Sequence, residues 1–344
     1  MKAAVVVANE DVQYQEVEEP QVTPGHVKIK VRYSGICGSD IPRVLNNGVH
    51  FYPIVLGHEF SGVVVAVGEN VRNIHVGDRV TSETTYETCG SCHYCHTGDL
   101  NLCGARRGVG TNVNGSMAEY VVNHEARIHV LPENVNLLAA ALTEPLACGV
   151  HAVIERGHVH KGDIVCVFGA GAIGQMVAQV AHACGATVIM AGLSSDVERL
   201  QIATQCGIQR TVDQQAEELS GVISEMTNGL GVDLAFECSG AVPAANKALE
   251  IVKKGGKVIQ MGVFSHPRES IATDLILHHE IQYMGSRSQK PSSWKLALEL
   301  MAKGNICPEK IVTNIVPLKN WQSAFDLIAS GQGCKGVIQC CQNM

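Results

Sequence analysis

The sequence predicts an all-β module followed by a doubly wound parallel α/β domain, and three observations predict it. A chain of 344 residues is long for one hydrophobic core, so two domains are expected. Up to about residue 140, short Val- and Gly-rich runs alternate with turn residues, the texture of an all-β module. From about residue 146 strands and helices alternate, which predicts a parallel sheet with helices on both faces.

In chain order, Met1 to Val7 forms a first strand. Glu10 and Asp11 cut the apolar run too early for a signal peptide. Residues 27–31 and 62–67 follow as strands, set off by Pro24-Gly25, Gly68-Glu69-Asn70 and Gly77-Asp78. Residues 165–168 make a short buried strand, then come a glycine turn and an apolar run over 173–183 with helical spacing. Strands recur at 187–190, 234–238 and 257–261. Helices are expected near 292–303 and 321–330, and a last strand at 336–340.

Composition narrows the function. With 46% hydrophobic and 17% charged residues the chain is globular. A net charge of -7 and a pI near 6.1 give no footing for nucleic acid. No apolar run reaches the roughly 18–20 residues that span a bilayer, so a cytoplasmic protein is the expectation. Fourteen cysteines without a secretory signal point to metal ligation or burial rather than disulfides.

Four of them lie close together. Cys89, Cys92, Cys95 and Cys103 can close a tetrahedron of thiolates around zinc with no open corner, a structural site. His93 and His96 between them read as bystanders. Gly169-Ala170-Gly171-Ala172-Ile173-Gly174 fits the dinucleotide fingerprint and sits, as it must, between a strand and a helix. Gly169 makes the turn, Gly171 admits a pyrophosphate to the backbone, and Gly174 lets the helix, opened by Ala172 and Ile173, pack on the strand. The alternative is a glycine-rich turn without a ligand. At the end of the next strand Gly192 stands where an acid would bind the ribose of NAD. Ser194, Ser195 and Arg199 are then candidates for a 2′-phosphate, which tilts the expectation toward NADP. Asp196 works against it, and the serines also suit a helix cap.

A catalytic zinc needs mixed ligands and one open position. Candidates are Cys37, His58, Glu59 and Glu144, yet spacing alone does not assemble segments so far apart. Taken with the four-cysteine lobe and the glycine fingerprint, Cys37-Gly38-Ser39-Asp40, Gly57-His58-Glu59 and Glu144-Pro145-Leu146 resemble the zinc-containing medium-chain alcohol dehydrogenases. Within that family Glu144 is similar to the sorbitol dehydrogenase branch. The stretch running through Pro42-Arg43, Asn47-Gly48, His50 and Tyr52-Pro53-Ile54 is similar to galactitol-1-phosphate 5-dehydrogenases.

The resemblance implies a GroES-like catalytic domain over 1–145 with a zinc lobe at 86–106, a Rossmann domain over 146–280, and a C-terminal part, 281–344, returning to the first domain. It implies two zinc ions, the catalytic one on Cys37, His58 and Glu144 with Glu59 alternating as ligand, and NAD or NADP as hydride acceptor. It implies oxidation of a secondary alcohol of a polyol or polyol phosphate, by a dimer or tetramer. Ser39 would take the first proton of a relay unless it is only a turn hydroxyl, and Asp40 would accept a hydrogen bond from His58. Arg43 and Arg287 are candidates for a phosphate or the cofactor, or plain surface arginines. The competing readings are an L-threonine or other vicinal-alcohol dehydrogenase and, from another class, a non-enzymatic dinucleotide-binding protein.

Overall fold

Along His26–Gly35, Val27, Ile29 and Val31 are fully buried while Lys28, Lys30 and Arg32 keep part of their surface in water. That period of two is what a strand with one covered face requires. The computed structural model describes residues 1–46, 48, 51–266 and 268–342. The chain divides into two compact units: Met1–Glu144 with Lys290–Lys303 and Val312–Met344, and Pro145–Gln289 with Gly304–Ile311.

The first unit is built on a seven-stranded sheet, among the described residues. Its main path runs Ile128–Val130, Arg79–Ser82, Glu59–Val67, His26–Gly35, Lys335–Gln339 and Val312–Pro317, with Tyr120–His124 also on His26–Gly35. A smaller sheet joins Asp11–Glu16, Lys2–Ala8 and Ile54–Val55. Ile29, Ile36, Ile54, Phe60 and Ile338 share the buried core. The last strand, Lys335–Gln339, lies between His26–Gly35 and Val312–Pro317.

The second unit holds six parallel strands in the order Arg210–Asp213, Thr187–Gly192, Ile164–Phe168, Val232–Glu237, Val252–Gln260, Gln282–Gly285. Numbered along the chain this is 3-2-1-4-5-6, the doubly wound order of dinucleotide-binding sheets. The central strands are continuous apolar runs with Cys166, Phe168, Ile189 and Ala235 fully buried, because a parallel sheet is covered on both faces. Gln282–Gly285 carries the sheet past residue 280, the limit set from the sequence. Its residues are half-buried or exposed, so it lacks the apolar signature of the inner strands. Among the described residues no helix is long and apolar enough to cross a membrane.

Candidate functional site

Two antiparallel strands bring the first candidates together. Gly35 ends one strand directly opposite Glu59, which opens the other, and Cys37 and His58 lie just beyond. Gly57, at φ 95°, turns the chain into His58. Gly35 is equally constrained, since an added Cβ would collide with Glu59 Oε2 and lie 3.2 Å from Lys335 Cε. The Cys37 Sγ, a His58 ring nitrogen and a Glu59 carboxylate oxygen all fall within 4.8 Å of one another. Glu144, in the first turn of Thr143–Val150, is buried and feels the charges of both His58 and Glu59. The close triplet is thus Cys37, His58 and Glu59, with Glu144 beside it.

The electrostatics of this cage show a shortage of positive charge. Burial by itself pushes the His58 imidazole down, but Asp40, Cys37 and Glu144 outweigh it and lift it to about 10. Burial pushes the Glu144 carboxyl up, against the pull of His58 and with the push of Glu59. Lys335 is 2% exposed; its Nζ contacts Glu59 Oε2 and donates to the Ile36 carbonyl at 2.8 Å. Sulfur, imidazole nitrogen and carboxylate oxygen crowded at one point, with a buried His58 Nδ1 lacking a hydrogen-bond partner among the described residues, form a donor set suited to a divalent zinc.

Two details differ from expectation. His58 Nδ1 stands 3.6 Å from Asp40 Oδ1, beyond a hydrogen bond. Asp40 instead accepts from the Cys37 N–H at 3.0 Å and from Arg43 Nη1 at 2.9 Å, so it braces the Cys37 loop. Arg43 thus gives one guanidinium N–H to Asp40. The Ser39 hydroxyl donates to Cys37 Sγ at 3.2 Å and is exposed. Arg287 is exposed just past Gln282–Gly285. Asn47 and His50 lie outside the described residues.

The four-cysteine lobe lies between strands Thr85–Glu87 and Arg107–Gly108. Its sulfurs approach at 3.6 Å (Cys92–Cys95), 3.7 Å (Cys103–Cys89) and 3.9 Å (Cys89–Cys95). Four sulfurs at about 2.3 Å from a tetrahedral zinc stand about 3.8 Å apart, so the spacing fits. Backbone and side-chain hydrogen bonds from Ser91 and Cys92 lower the Cys89 thiol to about 6. All fourteen cysteines are free of disulfides.

In the second unit Gly169 turns at φ 92°, and an added Cβ would meet Ser239 at 2.9 Å. At Gly171 a Cβ would meet nothing within 4 Å, so the space above it is open. At Gly174 it would collide with the Gly169 carbonyl, which shows how closely helix Ala172–Ala183 packs on the turn. No side chain caps that helix. An open glycine turn under an uncapped helix start fits a pyrophosphate. Ser194 Oγ donates to Asp213 Oδ2 at 2.6 Å, Arg199 Nη1 to Asp196 Oδ1 at 2.9 Å, and Ser195 is exposed.

Sequence reasoning missed Lys335. It stands just before the strand read at 336–340 and is the first residue of Lys335–Gln339. Only the fold sets it against Glu59.

The fold and these two sites define a class. Residues 23–133 match the family described as alcohol dehydrogenase GroES-like domain, and residues 172–303 the family described as zinc-binding dehydrogenase. The chain belongs to this family of zinc-binding dehydrogenases and is an enzyme of it. Among its relatives, a D-arabitol-phosphate dehydrogenase of Enterococcus avium is 45% identical over 93% of this chain and 91% of its own length. A sorbitol dehydrogenase of Halalkalibacterium halodurans is 44% identical over 97% of this chain and 98% of its own. Among solved structures, galactitol-1-phosphate dehydrogenase from Escherichia coli superposes with a TM-score of 0.90 at 27% identity, covering 98% of this chain and 100% of that one.

Proposed function

We propose that the protein oxidises a secondary hydroxyl of a polyol or polyol phosphate to a ketone, with the mixed cage of Cys37, His58, Glu59 and Glu144 as its metal-binding catalytic centre. The cage is the observation that carries the reading: its donor set is mixed and partly carboxylate, unlike the all-sulfur lobe. Polyol dehydrogenases among the relatives support this substrate class over L-threonine. When bound, zinc supplies Lewis acidity toward an alcohol and the dinucleotide accepts hydride.

The chain's own residues then have defined tasks. Cys37, His58 and Glu144 hold the metal; Glu59, tethered by Lys335, stands beside it as an alternate ligand. Asp40 holds the Cys37 loop through the Cys37 N–H. Ser39, exposed next to Cys37, passes the alcohol proton toward solvent. Cys89, Cys92, Cys95 and Cys103 hold a second zinc that ties down their lobe, which makes two per chain. Gly169, Gly171 and Gly174, with the N–H groups of Ala172 and Ile173, seat the pyrophosphate.

For the dinucleotide we read NAD as preferred, a change from the lean toward NADP that Gly192 suggested. The nearness of the Asp196 carboxylate, whose Oδ2 lies 3.4 Å from where a Cβ on Gly192 would be, and its bond from Arg199 support that reading. A homo-oligomer, dimer or tetramer, is carried over from the family resemblance, to be read by light scattering.

The deciding experiment is initial-rate oxidation of a panel of free polyols, polyol phosphates, simple secondary alcohols and L-threonine, with both dinucleotides and measured zinc content. A polyol or its phosphate should give the highest kcat/KM by at least tenfold, about 1.4 kcal/mol of transition-state discrimination. Faster turnover of L-threonine or of a simple alcohol would overturn the reading.

A further inference from the structure

Glu237 is fully buried at the carboxyl end of Val232–Glu237, in a strand otherwise apolar at its core. Four donors converge on its side chain. The Ser239 N–H donates to Oε1 at 2.7 Å, the Ser239 hydroxyl donates to the same oxygen, and the Gly240 N–H lies 3.0 Å from Oε1 and 3.1 Å from Oε2. Gln260 Nε2 donates to Oε2 at 2.6 Å and to the Gly262 carbonyl at 2.7 Å. Tyr283 then donates to Gln260 Oε1 at 2.7 Å, extending the chain to the edge strand Gln282–Gly285. A carboxylate is the side chain that accepts all of these, having acceptor sites on both oxygens and no N–H of its own.

What the network fixes is the wall of the glycine turn. The residue held most tightly, Ser239, is the one an added Cβ at Gly169 would strike, at 2.9 Å from its Cβ and 3.0 Å from its N. The Cys238 N–H also donates to the Phe168 carbonyl at 3.0 Å, so the two strand ends are laced together. On the other side, a Cβ at Gly262 would collide with the Gly240 backbone and with Glu237 Oε2, which shows how closely the following loop approaches. Three successive strand ends of the sheet are thus tied to one buried carboxylate. In open parallel sheets the ligand crevice lies outside those carboxyl ends. Loops fixed before a ligand arrives lose less freedom when it binds.

We propose that Glu237 is a positioning residue of the dinucleotide site: through Ser239 it sets the wall facing Gly169, and through Gln260, itself braced by Tyr283, it fixes the loop after the next strand. The inference rests on reading the second unit as dinucleotide-binding. It adds to that reading a residue outside the glycine fingerprint and outside the ribose pocket, one that does not itself touch the ligand.

The test is fluorescence titration of the zinc-replete parent and of Glu237→Gln and Ser239→Ala with NADH and NADPH, alongside thermal melts and steady-state kinetics. In Glu237→Gln an amide N–H₂ enters a ring of donors, so one or more contacts must open. Its dissociation constant for the reduced dinucleotide should rise about tenfold or more, with the KM for alcohol and the saturated kcat within about threefold of the parent. Ser239→Ala, an exposed site, should rise about threefold with an unchanged melting temperature. If Glu237→Gln does not fold, Ser239→Ala decides alone. A parent that saturates with NADH while the folded variants bind it equally well overturns the inference and leaves the function standing. A parent that binds neither dinucleotide overturns the reading of the unit itself.

Discussion

At Gly192 the second strand of the parallel sheet ends without a side chain, and Asp196 reaches back across it. Its Oδ2 accepts from the Leu193 N–H at 3.1 Å and lies 3.4 Å from where a Cβ on residue 192 would be, while Oδ1 holds Arg199. A carboxylate here repels a 2′-phosphate and suits a ribose hydroxyl. We expect Asp196→Asn to raise the ratio of kcat/KM for NADP to that for NAD by on the order of tenfold, about 1.4 kcal/mol. Steady-state kinetics with both dinucleotides measures it, and an unmoved ratio removes Asp196 from the pocket. This residue also shows where sequence reading stops. The glycine at 192 was plain, but the three-residue return of Asp196 depends on a short turn after Gly192, which no periodicity encodes. Lys335 was hidden for a different reason: its partner, Glu59, is on a distant strand, and a lysine next to an apolar run looks like a solvated end.

Whole elements were legible where a local pattern fixes them. The alternation of Val27, Ile29 and Val31 with lysines, the apolar run before Gly169, and the helix after it all follow from spacing within one segment. The cysteine lobe was legible for the same reason, since its four cysteines fall in a single loop. Gln282–Gly285 was not, because an edge strand keeps exposed residues that erase the signal. The lobe has little core of its own: helix His93–His96 has no buried residue, so a metal on the four sulfurs would hold what packing does not. Replacing Cys95, whose sulfur lies 3.6 Å from Cys92 and 3.9 Å from Cys89, should therefore cost one zinc per chain and lower the melting temperature. The saturated kcat should stay within about threefold, because the mixed cage is untouched. Metal analysis with calorimetry on Cys95→Ser checks both. Full zinc content and parental heat resistance would show that the lobe is not a structural centre.

At the scale of the molecule, the chain assembles one cage from residues 37, 58–59, 144 and 335, and all of them belong to the first compact unit. The cysteine lobe belongs to it as well, while the glycine turn and the Glu237 network belong to the second. The resemblance named all of these residues but Lys335 as candidates, but only the sheet, with Lys335–Gln339 seated beside His26–Gly35, explains why they meet. This division makes a prediction. A metal that binds the folded state alone stabilises what holds it, by about 2.7 kcal/mol at a concentration one hundred times its dissociation constant. Stripping the parent with a strong chelator should lower the unfolding transition of the first unit by at least that amount, and zinc added back should restore it. The second unit has no share in either donor set, so NADH fluorescence titration of the stripped protein should return a dissociation constant within about threefold of the metal-replete value. Loss of dinucleotide binding in step with the metal would mean that the two sites are coupled, and that neither unit holds its own ligand independently.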